Sequence, residues 1–538
     1  MYDYIIVGAG SAGCVVASRL SEDPTVQVLL LEAGGRDTKR EIHIPAAFSK
    51  LFKGPCDWSY YTEAEPQLSN RNLFMPCGKV LGGSSSINAM IYMRGNRSDY
   101  DGWRDLGNAG WGYADVLPYF IKSEDQEHGT SEYHGTGGPL HVSDLRCVNP
   151  LSRAFVEAAV QSGFKRNPDF NGETQDGFGI FQVTQWRGER SSTTEFLRVA
   201  RNRPNLTVRT GVHAHKIIFQ GKRAGAVAFQ HGSVITQERA EREIILCAGA
   251  IGSPQLLMLS GVGPAQHLCD LDIPAICDLP GVGQNLQDHP AVSVAYECNE
   301  PVSLASAESL GNLLRYLAFK RGPLTSNLAE AGGFVQTSAG EPGPSIQFHF
   351  GPCYYVEHGF RTFKGHAFTL GPVLVRPYSR GEIRLRTSNP GDAPAIRANY
   401  LADGRDSEAM MQGVKLARKI AAAPALARFA RREICPGPHA NDDQAVHEYI
   451  SKSAEGFYHP VGTCKMGADD WAVVDSELRV RGVEGLRVVD ASVMPAITTG
   501  NTNAPTIMIA EKAVDLISAS ASSKKATDHR QEIIATMR

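Results

Sequence analysis

No Cys-x-x-Cys pair occurs in this chain, whose 11 cysteines are scattered singly from Cys14 to Cys464. An odd number so dispersed excludes a disulfide framework and predicts isolated thiols in a reducing compartment. Long uncharged apolar runs are missing as well, since none approaches the ~18 residues that would mark a membrane-crossing helix. The chain enters a core strand straight after Met1-Tyr2-Asp3, with no charged leader or cleavage site. These absences predict a cytoplasmic protein without an integral membrane segment. An excess of one charge is also lacking: the formal net charge of -3 gives no broad attraction to nucleic acid or to an anionic membrane surface. Asn96-Arg97-Ser98 and Asn205-Leu206-Thr207 match the glycosylation pattern, and without secretion they are chance matches.

Length and glycine, by contrast, are plentiful. At 538 residues and 42% hydrophobic content the chain exceeds one core and predicts two or three domains. Its N-terminal run Tyr4-Ile5-Ile6-Val7-Gly8-Ala9-Gly10-Ser11-Ala12-Gly13 is an apolar strand that ends in three glycines and opens into a helix. Gly8 permits the tight turn, Gly10 admits a pyrophosphate close to the backbone, and Gly13 lets the helix pack on the strand. The helix start offers N–H groups and a partial positive charge to an anion. A second apolar run, Val26 to Leu31, stops at Glu32, about 20 residues on, where a carboxylate suits an adenosine ribose. Because that carboxylate repels a 2′-phosphate, the pattern predicts FAD or NAD in preference to NADP.

Residues 34–65 are irregular and aromatic and read as an ordered loop covering something, with Trp58 suited to packing and to ligand contact alike. The stretch Cys77 to Met90 is a second glycine and hydroxyl cluster. It reads as a ligand cradle or as a helix cap, and it leads into an apolar helical segment. Residues 123–138 are polar and glycine-rich and predict a surface loop. Helical spacing appears over 151–163, and strands over 205–210 and 213–219. His213 and His215 share a strand face, but no third ligand lies near, so no metal site is expected. Glu243 to Ala250 is a third buried strand ending in small residues, followed by a helix with Ser253 as its cap, Pro254 at its first position and Gly261 as its stop. Residues 290–450 alternate as an antiparallel sheet with one buried face. A buried strand returns at Leu486 to Ser492.

The fold class expected is therefore α/β plus α+β: a discontinuous Rossmann-like nucleotide domain (1–155, 200–289 and 455–517) and a second, substrate domain built on an antiparallel sheet (156–199 and 290–454). The tail 518–538 is expected to be poorly ordered or to dock elsewhere.

Two late stretches concentrate chemistry: Tyr458-His459-Pro460-Val461-Gly462-Thr463, with a histidine held in a turn, and Gly500-Asn501-Thr502-Asn503-Ala504-Pro505, a helix start. With Gly8 to Gly13 and Glu32, with Gly78 to Asn88 and with Gly249 to Gly263, they make five ordered motifs. In these the chain, to about residue 518, resembles the glucose–methanol–choline (GMC) oxidoreductases, a family of FAD enzymes. The resemblance implies that Gly8, Gly10, Ser11, Ala12, Gly13, Glu32 and Ala33 hold the ADP half of FAD, with Val212 by the adenine. It implies Val80, Gly83, Asn88, Asp490 and Ala491 along the remainder, and Thr502 and Thr506 beside the flavin pyrimidine.

His459 and Asn503 are the implied catalytic pair. An imidazole with an ordinary pKa near 6.5 accepts a hydroxyl proton while hydride passes to flavin N5, and an amide can only hold the alcohol oxygen. Some relatives tether flavin through a histidine at the position of Ile87, so noncovalent FAD is expected here. The expected activity is oxidation of a primary alcohol to an aldehyde, with O₂ or a quinone as acceptor. The alternatives are a choline dehydrogenase or oxidase type of activity, a nicotinamide dehydrogenase, which leaves the late pair unexplained, and a non-catalytic flavin module. Tyr354, Tyr355 and Tyr458 hint at an aromatic pocket, and an uncharged alcohol is favoured because no evident cage of acids and aromatics serves a quaternary ammonium.

Overall fold

Short apolar runs that end in small residues become parallel strands here because both of their faces are covered. The computed structural model describes residues 1–337 and 340–536. In chain order the strands that build its two main sheets begin with β1 (Tyr2–Val7), β2 (Val28–Glu32), β3 (Gly177–Ile180), β4 (Leu206–Thr210), β5 (Val212–Gln220) and β6 (Arg223–His231). They continue with β7 (Val234–Leu246), β8 (Val294–Cys298), β9 (Ala331–Val335), β10 (Ile346–Gly351), β11 (Ala367–Leu374), β12 (Ala430–Cys435) and β13 (Leu486–Val488). The helices that matter to the site are α1 (Gly13–Leu20), α2 (Pro150–Gln161), α3 (Gly249–Leu259), α4 (Gly404–Ala421) and α5 (Asn503–Thr536).

The first sheet runs parallel in the order β4-β2-β1-β7-β13, with every residue of β2 buried. The first half of β7 extends beyond this core and pairs antiparallel with β6, which pairs with β5. Parallel strands present their C-terminal ends along one edge, the place where such sheets bind ligands. Here that edge carries Val7, Glu32, Leu246 and Val488. The second sheet is antiparallel throughout, in the order β12-β8-β11-β10-β9-β3, with α4 packed on β11 and α2 on β3.

The structure corrects several local expectations. Helix α3 begins at Gly249, with Pro254 inside it. The N–H that proline lacks would have served the Ala250 carbonyl, which instead accepts from Thr463 Oγ1 at 2.5 Å. Residues 83–86 form a short 3₁₀ turn, and the chain beyond it to Met93 is not helical. The polar stretch 123–138 is no simple surface loop, because Glu124, Gln126 and His134 are buried in it. Helix α2 lies across the expected division at 155/156 and packs with the antiparallel sheet. Helix α5 runs on through Thr536, into the span 518–538 that was expected to be poorly ordered or to dock elsewhere; the last two residues lie outside those described. Among the described residues no helix is long and apolar enough to cross a membrane. All 11 cysteines are free thiols.

Candidate active site

The ends of β1, β2 and β7 open into a cavity of about 880 Å³ that reaches from Val212 and Glu32 to His459 and Asn501. That volume falls within the range of about 300–1,000 Å³ typical of ligand pockets. At one end is the glycine turn. Gly8 has φ +99°, and a Cβ there would lie 2.5 Å from the Cys247 carbonyl oxygen. A Cβ on Gly13 would lie 1.8 Å from the Gly8 carbonyl oxygen, so the start of α1 touches the strand it follows. No side chain caps α1 at Ala12. Glu32 accepts from the N–H of Ala9 at 2.8 Å and of Gly34 at 2.7 Å. Burial raises its pKa to about 7, against the pull of those N–H groups. Trp58 stacks on Tyr60 with ring centroids 5.8 Å apart and lies 5.5 Å from the His213 ring, beside Val212.

The second glycine cluster closes on the first. Gly83 has φ +54°, and a Cβ there would come within 2.6 Å of Gly10 Cα. Arg190, buried, braces this cluster by donating to Asn88 Oδ1 at 2.6 Å, the Asn88 carbonyl at 2.7 Å and the Ser85 carbonyl at 3.1 Å. Burial lowers the pKa of its guanidinium to about 9. Asp490 ties the end of β13 to α3, accepting from Gly249 N–H at 2.9 Å and from Ser253 Oγ at 2.6 Å. A two-sided glycine cradle, an uncapped helix start and a carboxylate at the end of β2 are together what a dinucleotide such as FAD requires.

At the other end Tyr458 takes a left-handed backbone, φ +69°, immediately before His459. The His459 N–H donates to Asp288 Oδ1 at 2.7 Å, and Tyr400 Oη donates to Asp288 Oδ2 at 2.5 Å. Burial raises the Asp288 pKa to about 6, while those donors hold it down. On the ring, Nδ1 lies 3.0 Å from His289 Nδ1 and Nε2 lies 3.1 Å from Asn501 Nδ2. Gln347 Nε2 donates to Asn501 Oδ1 at 3.3 Å, which turns the Asn501 amide nitrogen towards the imidazole. Burial lowers the His459 pKa to about 3. His349 also faces the cavity, and burial followed by the neighbouring His459 lowers its pKa to about 3. Its two ring nitrogens have no hydrogen-bond partner among the described residues.

Of the residues expected at the site, Gly8, Gly10, Ser11, Ala12, Glu32, Ala33, Gly83, Asn88, Val212, His459, Asp490, Ala491, Thr502, Asn503 and Thr506 line this one cavity. Gly13 and Val80 do not. Gly13 is the packing point beneath the turn, and Val80 is 1% exposed in a hydrophobic cluster with Phe48, Phe52 and Ile87. The expected pairing of His459 with Asn503 is also corrected. Asn503 is the first residue of α5, and its Oδ1 accepts from Ser11 Oγ at 2.7 Å. It is Asn501, two residues before the helix, that meets the imidazole. Sequence reasoning missed Asn501, Arg190, Asp288, His289 and His349. Only Asn501 stood inside a motif already singled out. Among the described residues no cluster of histidine, cysteine and carboxylate is arranged to hold a metal.

The comparisons with known proteins agree on one family. GMC oxidoreductase family profiles match residues 2–291 and 377–510. An oxygen-dependent choline dehydrogenase of Paraburkholderia phymatum is 48% identical over 527 residues, covering 96% of this chain and 92% of that protein. An alcohol dehydrogenase (acceptor) of Pseudomonas putida is 47% identical over 529 residues, covering 96% of each. Among solved structures, pyridoxine 4-oxidase from Mesorbium loti is 34% identical with a TM-score of 0.88, covering 96% of this chain and 99% of that one. A formate oxidase of Aspergillus oryzae is 28% identical with a TM-score of 0.91, covering 97% and 99%.

Proposed function

The chain belongs to the GMC oxidoreductase family, FAD-dependent enzymes that act on CH–OH donors, and from that premise we propose that it oxidises a primary alcohol to its aldehyde, with His459 as proton acceptor and Asn501 holding the alcohol oxygen. The observation that carries this reading is the 3.1 Å separation of His459 Nε2 and Asn501 Nδ2 at one end of the cavity. FAD, when bound, supplies the two-electron acceptor that takes hydride from the carbinol carbon. One alcohol oxygen placed between the two side chains accepts from the amide and donates its proton to the imidazole. With the Asn501 amide nitrogen facing Nε2, the ring proton belongs on Nδ1, where His289 Nδ1 accepts it. Nε2 is then the basic nitrogen. Burial keeps the ring neutral before substrate arrives, so no proton must first be removed from it. Asp288 fixes the backbone that carries the ring, and it does so without touching the reacting atoms.

The residues proposed to hold FAD are those expected from the sequence, less Val80, with Gly13 acting through the packing of α1. Attachment is proposed to be noncovalent, since Ile87 offers no nucleophile. O₂ or a quinone is proposed as the electron acceptor. The 11 free thiols support a reducing compartment such as the cytoplasm. The proposed division of domains follows the two sheets, with α2 assigned to the substrate domain.

The test is His459→Ala. The purified variant is expected to keep its yellow flavin while anaerobic reduction by alcohol slows at least ~100-fold, since general base catalysis contributes roughly 10²–10⁴. Reduction at the parent rate overturns the assignment. A choline-type activity is the second reading, favoured by the relative at 48% identity. The alcohol dehydrogenase at 47% supports the first reading equally.

A further inference from the structure

Similarity divides evenly between a relative named for a cationic alcohol and one named for alcohols at large, but the outer cavity is not neutral on the point. From His459 a series of rings leads outward. Phe457 lies 5.9 Å from the imidazole and 5.4 Å from Tyr458, Tyr458 lies 5.8 Å from Phe52, and Phe52 lies 6.2 Å from Phe74. All line the cavity. The series ends in three rings, Tyr61, Phe74 and Phe360, of the kind that receive a quaternary ammonium. That position is taken by the chain itself: Lys53 Nζ stands 4.2 Å from the centroid of Phe360, 4.9 Å from Phe74 and 5.8 Å from Tyr61. The Lys53 backbone N–H donates to Asp57 Oδ2 at 2.8 Å, which fixes the base of the side chain.

The charges around it point the same way. Lys53 and Arg71 both bear on His358 here, while Arg361 and Lys452, which also line the cavity, are each paired with a carboxylate, Glu357 at 3.7 Å and Glu448 at 3.5 Å. Glu455 is only partly ionised near neutrality, because burial raises its pKa to about 7. His358, 3.6 Å from Glu455, is held neutral by burial and then by Lys53 and Arg71, which lower its pKa to about 4. A substrate cation entering here meets a filled cage and like charges.

Resting on the alcohol-oxidising reading, we propose that Lys53 is a specificity-determining residue at the cavity mouth: by occupying the outermost aromatic cage, several rings away from His459, it disfavours entry of cationic primary alcohols relative to uncharged ones of the same shape. Choline and its neutral isostere 3,3-dimethylbutan-1-ol differ in charge and hardly in size, so their kcat/KM ratio reads this selection directly. The holoenzyme is expected to favour the neutral alcohol at least tenfold. Lys53→Met is expected to shrink that ratio at least fivefold through KM, with kcat for the neutral alcohol within twofold of the parent, and Lys53→Arg to preserve the ratio. Lys53 is exposed, and bound flavin absorbance near 450 nm monitors the fold of each variant. Choline turned over as well as its isostere by the parent enzyme, or a ratio unmoved in Lys53→Met, overturns the role of Lys53 and leaves alcohol oxidation standing. Flavin that no alcohol in a panel reduces overturns the alcohol-oxidising reading first, and this one with it.

Discussion

Asn501 Nδ2 lies 3.1 Å from His459 Nε2, although the two residues belong to separate late segments of the chain. The approach is made by Gly500, whose φ of +122° turns the chain where a Cβ would stand 2.7 Å from Met93 Cγ. Two residues later the backbone is helical. Asn503 accordingly projects back to the start of the other helix and meets Ser11.

These placements separate two asparagines of identical chemistry. Asn501→Ala removes the donor proposed for the alcohol oxygen and is expected to lower kcat/KM by roughly 10²–10³, the usual loss when one such donor is deleted. FAD content should not change. Asn503→Ala is expected to change the rate of flavin reduction less than tenfold but to weaken retention of FAD, because it unties the junction of α1 and α5. Stopped-flow reduction and the ratio of absorbance at 450 nm to that at 280 nm distinguish the two variants. Equal rate losses in both would remove the distinction drawn here.

The strands were legible where chemistry is local. β1, β2 and β13 are short apolar runs ending at small or acidic residues, and the antiparallel sheet showed as alternation between glycine and proline turns. The glycine motifs were legible because backbone approach and left-handed turns demand that residue. Asn501 was not distinguishable from Asn503 in sequence, since the choice depends on where α5 begins, a boundary set by the turn at Gly500. Arg190 and Asp288 were illegible for another reason. Each acts by bonding to backbone far away in the chain, Arg190 to Ile42 and Ser85 and Asp288 to His459, and no local pattern records such a partner. The buried ionic group around His134 was hidden in the same way, inside a stretch whose composition reads as a solvent-facing loop.

The contact between the two glycine clusters yields a prediction about the cofactor. Gly83→Ala places a Cβ 2.6 Å from Gly10 Cα in a backbone of φ +54°, so both clusters must move. The variant is expected to bind FAD at least tenfold more weakly, read by flavin release on dilution. Gly102→Ala serves as control. That glycine is inside the helix Arg97–Asp105 with nothing within 4 Å of its added Cβ, and alanine there should stabilise by about 0.5–1 kcal/mol without altering FAD binding. Parental FAD affinity in Gly83→Ala would show that the clusters are not a cradle.

His134 makes the fold depend on pH in a direction that its neighbours set. Burial alone would lower its pKa, but Asp169 at 2.9 Å from Nε2 and Glu124 at 3.1 Å from Nδ1 more than reverse that and raise it to about 9. In the unfolded chain the imidazole titrates near 6.5. Below pH 6.5 both states hold the proton, and the stabilisation is complete. Between 6.5 and 9 only the folded state holds it, so stability falls as pH rises. Arg94, 2.7 Å from Glu124, sets a limit by competing for the same carboxylate. Comparison with His134→Gln isolates the effect. Between pH 6 and pH 10 the parent's stability relative to the variant should fall by on the order of 3 kcal/mol, the product of the shift and about 1.36 kcal/mol per unit. Urea unfolding at pH 6, 7.5 and 10 measures it, and a gap that stays constant over this range would mean that His134 is neutral in the folded protein.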